Sequence, residues 1–135
     1  MTKAIVGLCL AALAAASCME RVTEPSDVLW TTWHLESLQR ANAGGAVSPP
    51  GGSFTLQFRE DGRLEVRADC NGCGGSYSLD GGALDVGLLA CTRAFCPSAP
   101  FDTDYVTLLE SATTVERDGD TLVLRGSAGV LRFVH

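Results

Sequence analysis

Four cysteines lie close together, spaced C-N-G-C at 70–73 and C-T-R-A-F-C at 91–96. Three chemistries suit such a set. Four thiolates could complete a tetrahedral zinc site, but the second pair is C-x4-C rather than the C-x2-C of a zinc ribbon. A C-x-x-C can be a dithiol catalyst where it opens a helix whose dipole lowers the thiol pKa. Here Asn71-Gly72 falls between two extended segments, and the neighbours Asp69 and Asn71 bring no positive charge. Structural disulfides are the third possibility, and an oxidising compartment favours them.

The N-terminus points to such a compartment. Lys3 precedes an apolar run from Ala4 to Ala16 that ends at Ser17-Cys18. The run is shorter than the roughly twenty residues of a spanning helix, and it reads as an export signal. The tetrad Ala15-Ala16-Ser17-Cys18 is similar to a lipoprotein cleavage site, with alanine where leucine is usual. Cys9 leaves with the signal and four cysteines can pair among themselves, so lipidation accounts for Cys18, otherwise an odd exposed thiol. The reading is a signal peptide at 1–17, a polar tether at 18–28 and one domain at 29–135. The membrane partner is then reached through a lipid on Cys18. Met19 is not the aspartate that retains many lipoproteins at the inner membrane, which favours an outer-membrane location.

Charge narrows the partners. Lys3 is the only lysine, and its removal takes the formal net charge from −6 to −7. Nucleic acid needs a basic footprint, so no nucleic-acid partner is expected. Acid–base catalysis finds little support. His34 alternates with Trp33 and Leu35 and should face solvent, and His135 is the last residue. Asp102 and Asp104 are two apart, a spacing that does not face two side chains on a helix. Asp118-Gly119-Asp120 lacks the rest of a calcium loop. No enzyme activity, metal or cofactor is expected. Trp30 and Trp33 are expected in the core.

The pattern between these residues is mainly that of strands. Trp33 and Leu35 alternate with His34 and Glu36. Phe54, Leu56 and Phe58 alternate with polar residues, turn at Glu60-Asp61-Gly62, and return through Leu64, Val66 and Ala68. Tyr77 and Leu79, a Gly81-Gly82 turn, then Leu84 and Val86 make a second hairpin. Phe101, Tyr105, Leu108, Leu109 and Ala112 fall on one face at helical spacing. Strands resume at Val115, Leu122–Leu124 and Leu131–Phe133. The fold class is mainly β: a curled, barrel-like antiparallel sheet of about eight short strands, with one helix packed on it.

The second hairpin also orders the cysteines. If Gly81-Gly82 is a two-residue turn, Asp80 faces Ala83 and Tyr77 faces Val86. Cys73 then projects opposite Ala90, and a one-residue bulge brings it to Cys91. Cys70, further from the turn, is left for Cys96. The pairs expected are Cys70–Cys96 outside and Cys73–Cys91 inside.

The segments D-C-N-G-C-G-G-S-Y, L-D-V-G-L-L-A-C-T-R-A-F-C-P, F-D-T-D-Y-V-T-L-L-E and D-G-D-T-L-V-L occur in that order, after W-H-L and F-T-L-Q-F-R-E-D-G-R. Together they resemble the META domain, also called the HslJ-like family, over about 30–135. Asp69 departs from the glycine that usually precedes Cys-Asn there. The resemblance implies a helix-packed barrel in a bacterial envelope lipoprotein, tied to stress or antibiotic tolerance, with no established catalytic residues. The expected function is a non-catalytic envelope protein that works by contact with another envelope protein. The alternative is a small-ligand binder using a pocket in the curled sheet.

The lipoprotein reading makes a direct prediction. Intact mass of the membrane-extracted protein will show a chain that starts at a lipid-modified Cys18, whereas an unmodified start near Ser17 would mean ordinary secretion.

Overall fold

The computed structural model describes residues 23–135, apart from Gly52. The signal segment and Cys18 lie outside the described residues. Nine strands and one α-helix follow in chain order: β1 Trp33–Arg40, β2 Phe54–Phe58, β3 Arg63–Ala68, β4 Asn71–Asp80, β5 Ala83–Val86, β6 Ala90–Cys91, α1 Phe101–Ser111, β7 Ala112–Asp118, β8 Thr121–Gly126 and β9 Gly129–Val134. No helix among the described residues is long and apolar enough to cross a membrane.

Neighbouring strands pair antiparallel around a ring. The order runs β1, β2, β3, β4, β5, β7, β8, β9 and back to β1, and the two-residue β6 hangs on β4. The fold is a closed eight-stranded barrel with a single helix. A barrel of eight strands is just wide enough for side chains to fill. Trp33, Leu38, Leu56, Phe58, Leu109, Leu122 and Phe133 do so, all fully buried. Alternation dictates this: in β3 and β5 every second residue is buried and the others face solvent.

Both ends of the barrel are closed. Helix α1 touches β3, β5, β8 and β9, which are spread around the ring, so it lies across one mouth. It inserts Tyr105, Leu108 and Leu109 as a plug. The Tyr105 ring meets Phe54 edge-on at 5.5 Å, and its hydroxyl donates to the Thr55 carbonyl oxygen at 2.9 Å. At the helix start, Asp104 forms an ion pair with Arg40 of β1.

The opposite mouth is closed by the chain before β1. Here the expectation of a tether through residue 28 is corrected over 23–28. Thr23 and Val28 are buried, and Pro25–Asp27 form a 3-10 turn. The Arg117 amide donates to the Thr23 hydroxyl at 3.1 Å, and the Trp33 indole donates to the Val28 carbonyl at 3.3 Å. The barrel leaves Trp33 needing both an apolar lid and an acceptor, and this segment supplies them. Trp30 is also corrected. It is 53% exposed with φ at +64°, and the Arg59 guanidinium lies 4.4 Å from its ring centroid.

Burial pushes the Tyr105 phenol well above its usual range, and Tyr77 is raised as well, by burial first and Asp61 second. A phenol that is harder to ionise when folded stabilises the fold fully below its unfolded pKa of about 10 and loses that contribution as pH climbs above it. Melting temperature will therefore fall above about pH 10. Tyr105→Phe will cost about 1 kcal/mol at neutral pH through the lost hydrogen bond, and will flatten part of that alkaline fall. Thermal melts of both proteins from pH 7 to 11 check this.

Candidate functional site

The cysteine segment sits at the helix-capped mouth, on strand β4. Its register with β5 pairs Asp80 with Ala83 and Tyr77 with Val86. One residue is then added on the returning strand, and beyond it Cys73 pairs with Cys91 and Gly74 with Ala90. The extra residue falls in Gly87–Leu89, where the chain passes close over β4. A Cβ on Gly75 would lie 2.7 Å from the Leu89 Cδ2 atom and 3.1 Å from the Leu88 carbonyl oxygen, so glycine permits the crossing.

Two disulfides join this segment: Cys70–Cys96, with Cα atoms 5.6 Å apart, and Cys73–Cys91, with Cα atoms 4.0 Å apart. With all four sulfurs paired, no thiolate is left for zinc. The C-N-G-C lies within a strand and its start, not at a helix N-terminus.

Between the two bridges stands Asn71, a residue the cysteine spacing did not single out. It is buried, and its amide is fully used. Its Oδ1 accepts from the Ala94 amide at 2.7 Å and from the Thr92 hydroxyl at 2.9 Å. Its Nδ2 donates to the Ala94 carbonyl at 3.0 Å and to Cys96 Sγ at 3.1 Å. One side chain thereby stands in for a strand partner to loop residues 92–96. The Asn beside the first cysteine was visible in the sequence, but its partners lie more than twenty residues away.

Asp69 explains its own departure from glycine. Ala68 pairs with Asn71, so Asp69 and Cys70 form a two-residue turn between β3 and β4. Asp69 takes φ of +60°, at the first turn position where glycine is favoured. Its carboxylate offsets the cost by accepting the Ser98 amide at 2.9 Å. A third point of the loop is thus fastened to the barrel.

Fastening the loop leaves large apolar groups in solvent. Phe95 is 100% exposed and Leu88 87% exposed, among large apolar residues that are otherwise mostly buried. A cleft of about 460 Å³ runs between the loop and α1, lined by their chain neighbours Leu89 and Ala94 rather than by these two residues themselves. Ala68, Leu89, Val106 and the Cys73–Cys91 bridge line it, with Arg93, Asp102 and Thr103 at its rim. Strand β6 borders this cleft and, among the described residues, pairs only with β4, which leaves its outer edge without a described strand partner. The Leu89 amide is met there by the Glu110 carboxylate at 2.8 Å.

The remaining candidates do not converge on the cleft, apart from Asp102 at its rim. His34 is exposed on β1, and His135 faces Asp120 at 3.2 Å while resting edge-on to Trp33. Asp118 ends β7, and Asp120 lies in the Gly119–Asp120 turn that leads to β8.

A filled eight-stranded barrel, plugged by a helix and carrying a doubly bridged loop at that mouth, defines a class of small mainly-β domain. Residues 26–135 match the META domain family, and the chain belongs to it. Among solved structures, a protein from Burkholderia xenovorans determined by NMR is similar, at 23% identity and a TM-score of 0.66, covering 99% of this chain and 97% of its own. A second NMR structure matches at 22% identity and 0.65, over 83% of this chain and 94% of its own. A duf4847 family protein from Bacteroides vulgatus, solved by crystallography, matches at 18% identity and 0.60, over 82% and 96%. At these identities the likeness concerns the fold. No curated protein gives a significant match.

The turn geometry yields a paired prediction. Asp69→Ala loses the Ser98 bond and keeps the positive φ, for a cost of about 2–3 kcal/mol. Asp69→Gly loses the same bond but fits the turn, for a cost of about 1 kcal/mol. Urea melts of both variants decide; equal losses would contradict the left-handed turn.

Proposed function

We propose that this protein is a non-catalytic envelope lipoprotein that holds a partner protein against the face made by Leu88, Phe95 and the cleft beside α1. The observation that carries the reading is the full exposure of Phe95 on the fastened loop, with Leu88 exposed as well ahead of β6. Exposed apolar side chains rimmed by polar residues mark interaction sites where they gather, and aromatic residues are favoured anchors in interfaces. The unpartnered edge of β6 adds backbone donors and acceptors that an extended segment of a partner could pair with.

Membrane attachment through Cys18, export and an outer-membrane location rest on the signal sequence alone. Service in envelope stress or antibiotic tolerance rests on the family resemblance. The anchored end and the docking face suit each other. The N-terminal segment closes one mouth of the barrel and the bridged loop sits at the other, so a tether would leave the face directed away from the membrane.

A small-ligand reading has one observation in its favour, the cleft volume, which falls in the range of ligand sites. It places the ligand outside the barrel, because the interior is filled by core side chains. Ligand binding there would raise the melting temperature in a screen of envelope metabolites.

Site-specific photocrosslinking tests the protein-contact reading. A photoreactive residue in place of Phe95, in the lipidated protein within its own envelope, will give one dominant adduct that the same residue at His34 does not. Phe95→Ala and Leu88→Ala will each weaken partner binding about tenfold or more without lowering the melting temperature. Equal labelling from both positions, or binding unchanged in both variants, would contradict the reading.

A further inference from the structure

We propose that the Cys70–Cys96 bridge is a thiol-exchange site, opened by an exported dithiol reductant while Cys73–Cys91 stays closed. The inference goes beyond the docking face and stands without it.

The two bridges differ in access. Cys70 occupies the Asp69–Cys70 turn and is exposed, whereas its partner Cys96 is only 2% exposed. A thiolate attacks one sulfur of a disulfide and expels the other, so access decides which sulfur is struck. With Cys70 the exposed residue of the pair, its sulfur is the one struck and that of Cys96 is the one that leaves. The inner bridge is held differently. Cys73 is buried, Cys91 is half-buried, and the bridge lies within paired backbone, with Cys73 opposite Cys91 and Gly74 opposite Ala90, and with the Thr92 amide donating to Gly72 at 3.0 Å.

The leaving group is prepared. The Asn71 Nδ2 donates to Cys96 Sγ at 3.1 Å, and a hydrogen bond to a sulfur strengthens when that sulfur becomes a thiolate. A more acidic leaving thiol departs faster. No comparable side-chain donor reaches the sulfurs of the Cys73–Cys91 bridge among the described residues.

The surroundings survive the cut. Thr92 and Ala94 remain bound to Asn71, and the Ser98 amide remains bound to Asp69. Cys73–Cys91 still ties the start of the loop to β4. The reaction therefore needs no unfolding of the barrel. Its direct consequence falls on Phe95, which loses the covalent anchor next to it.

The step balances as ordinary exchange. One thiolate of the dithiol attacks Cys70 Sγ, the Cys70–Cys96 bond breaks, and its electron pair leaves on Cys96. The second thiol of the reductant then attacks its own sulfur in the mixed disulfide and expels Cys70 as a thiolate. The reductant is oxidised by two electrons to its internal disulfide, and the protein gains two thiols, which take protons from solvent.

The test uses the full mature protein with all four cysteines. Reduction by dithiothreitol is quenched over time and mapped by alkylation and mass spectrometry. Cys70 and Cys96 will be alkylated at least tenfold faster than Cys73 and Cys91, at a rate unchanged by urea below the unfolding transition. With the monothiol glutathione, the trapped mixed disulfide will sit on Cys70. Asn71→Ala will slow the opening of Cys70–Cys96 severalfold even though its loop is held by fewer bonds. Equal rates for the two bridges, faster opening of Cys73–Cys91, acceleration by mild urea, or glutathione trapped on Cys96 would each overturn the proposal.

Discussion

The structure depends on strand β4 being paired along both sides. Its first residues pair with β3 and with β6, and its last residues pair with β5. The β3–β4 pairing closes the ring, and without it the sheet would have two open edges that aggregate readily. A strand this rich in glycine is a weak choice for that role, since glycine loses more chain entropy on ordering than any other residue and offers no side chain to pack. Two disulfides and the Asn71 side chain compensate. They cross-link the weak strand to its neighbours in sequence and fix its register, because Cys73 opposite Cys91 excludes any slip of that pair.

The same compensation shapes the surface. A segment that must bond back to β4 and the turn before it at Cys91, Thr92, Ala94 and Cys96 has few side chains left to turn inward. Ala94 and Cys96 are drawn to the barrel, and Phe95 between them is turned out. Structure and candidate function thus share one origin: the bonds that brace the start of β4 also set an aromatic side chain in solvent on the loop beside a cleft. The helix contributes one wall of that cleft and, through Tyr105 and Leu109, the plug of the barrel beneath it.

Much of the barrel was legible in the residues because alternation is a strong signal when one face is buried. β2, β3, β5 and β8 all carry it, and the Asp80–Ala83 register follows from a two-glycine turn. The start of β4 was hidden, since Asn71 to Ser76 has no apolar alternation beyond Cys73. Residues 23–28 read as a tether because their composition is polar, and only the open mouth of a closed barrel supplies the reason for Val28 to be buried there. Trp30 is outside the core because a positive φ at that residue turns it away, which composition does not reveal. The pairing of the cysteines was legible through the hairpin register. The hub at Asn71 was not, because its four bonds go to residues distant in sequence, and the exposure of Phe95 follows from those bonds together with the Cys70–Cys96 bridge.

The central claim is that loop 92–98 is held as firmly as the strands it crosses. Amide hydrogen exchange of the oxidised protein measures this most directly. The Thr92, Ala94 and Ser98 amides donate to Gly72, Asn71 and Asp69, and their protection will approach that of β3 and β8. Exchange of these three amides at the rate of an unstructured chain would contradict the account.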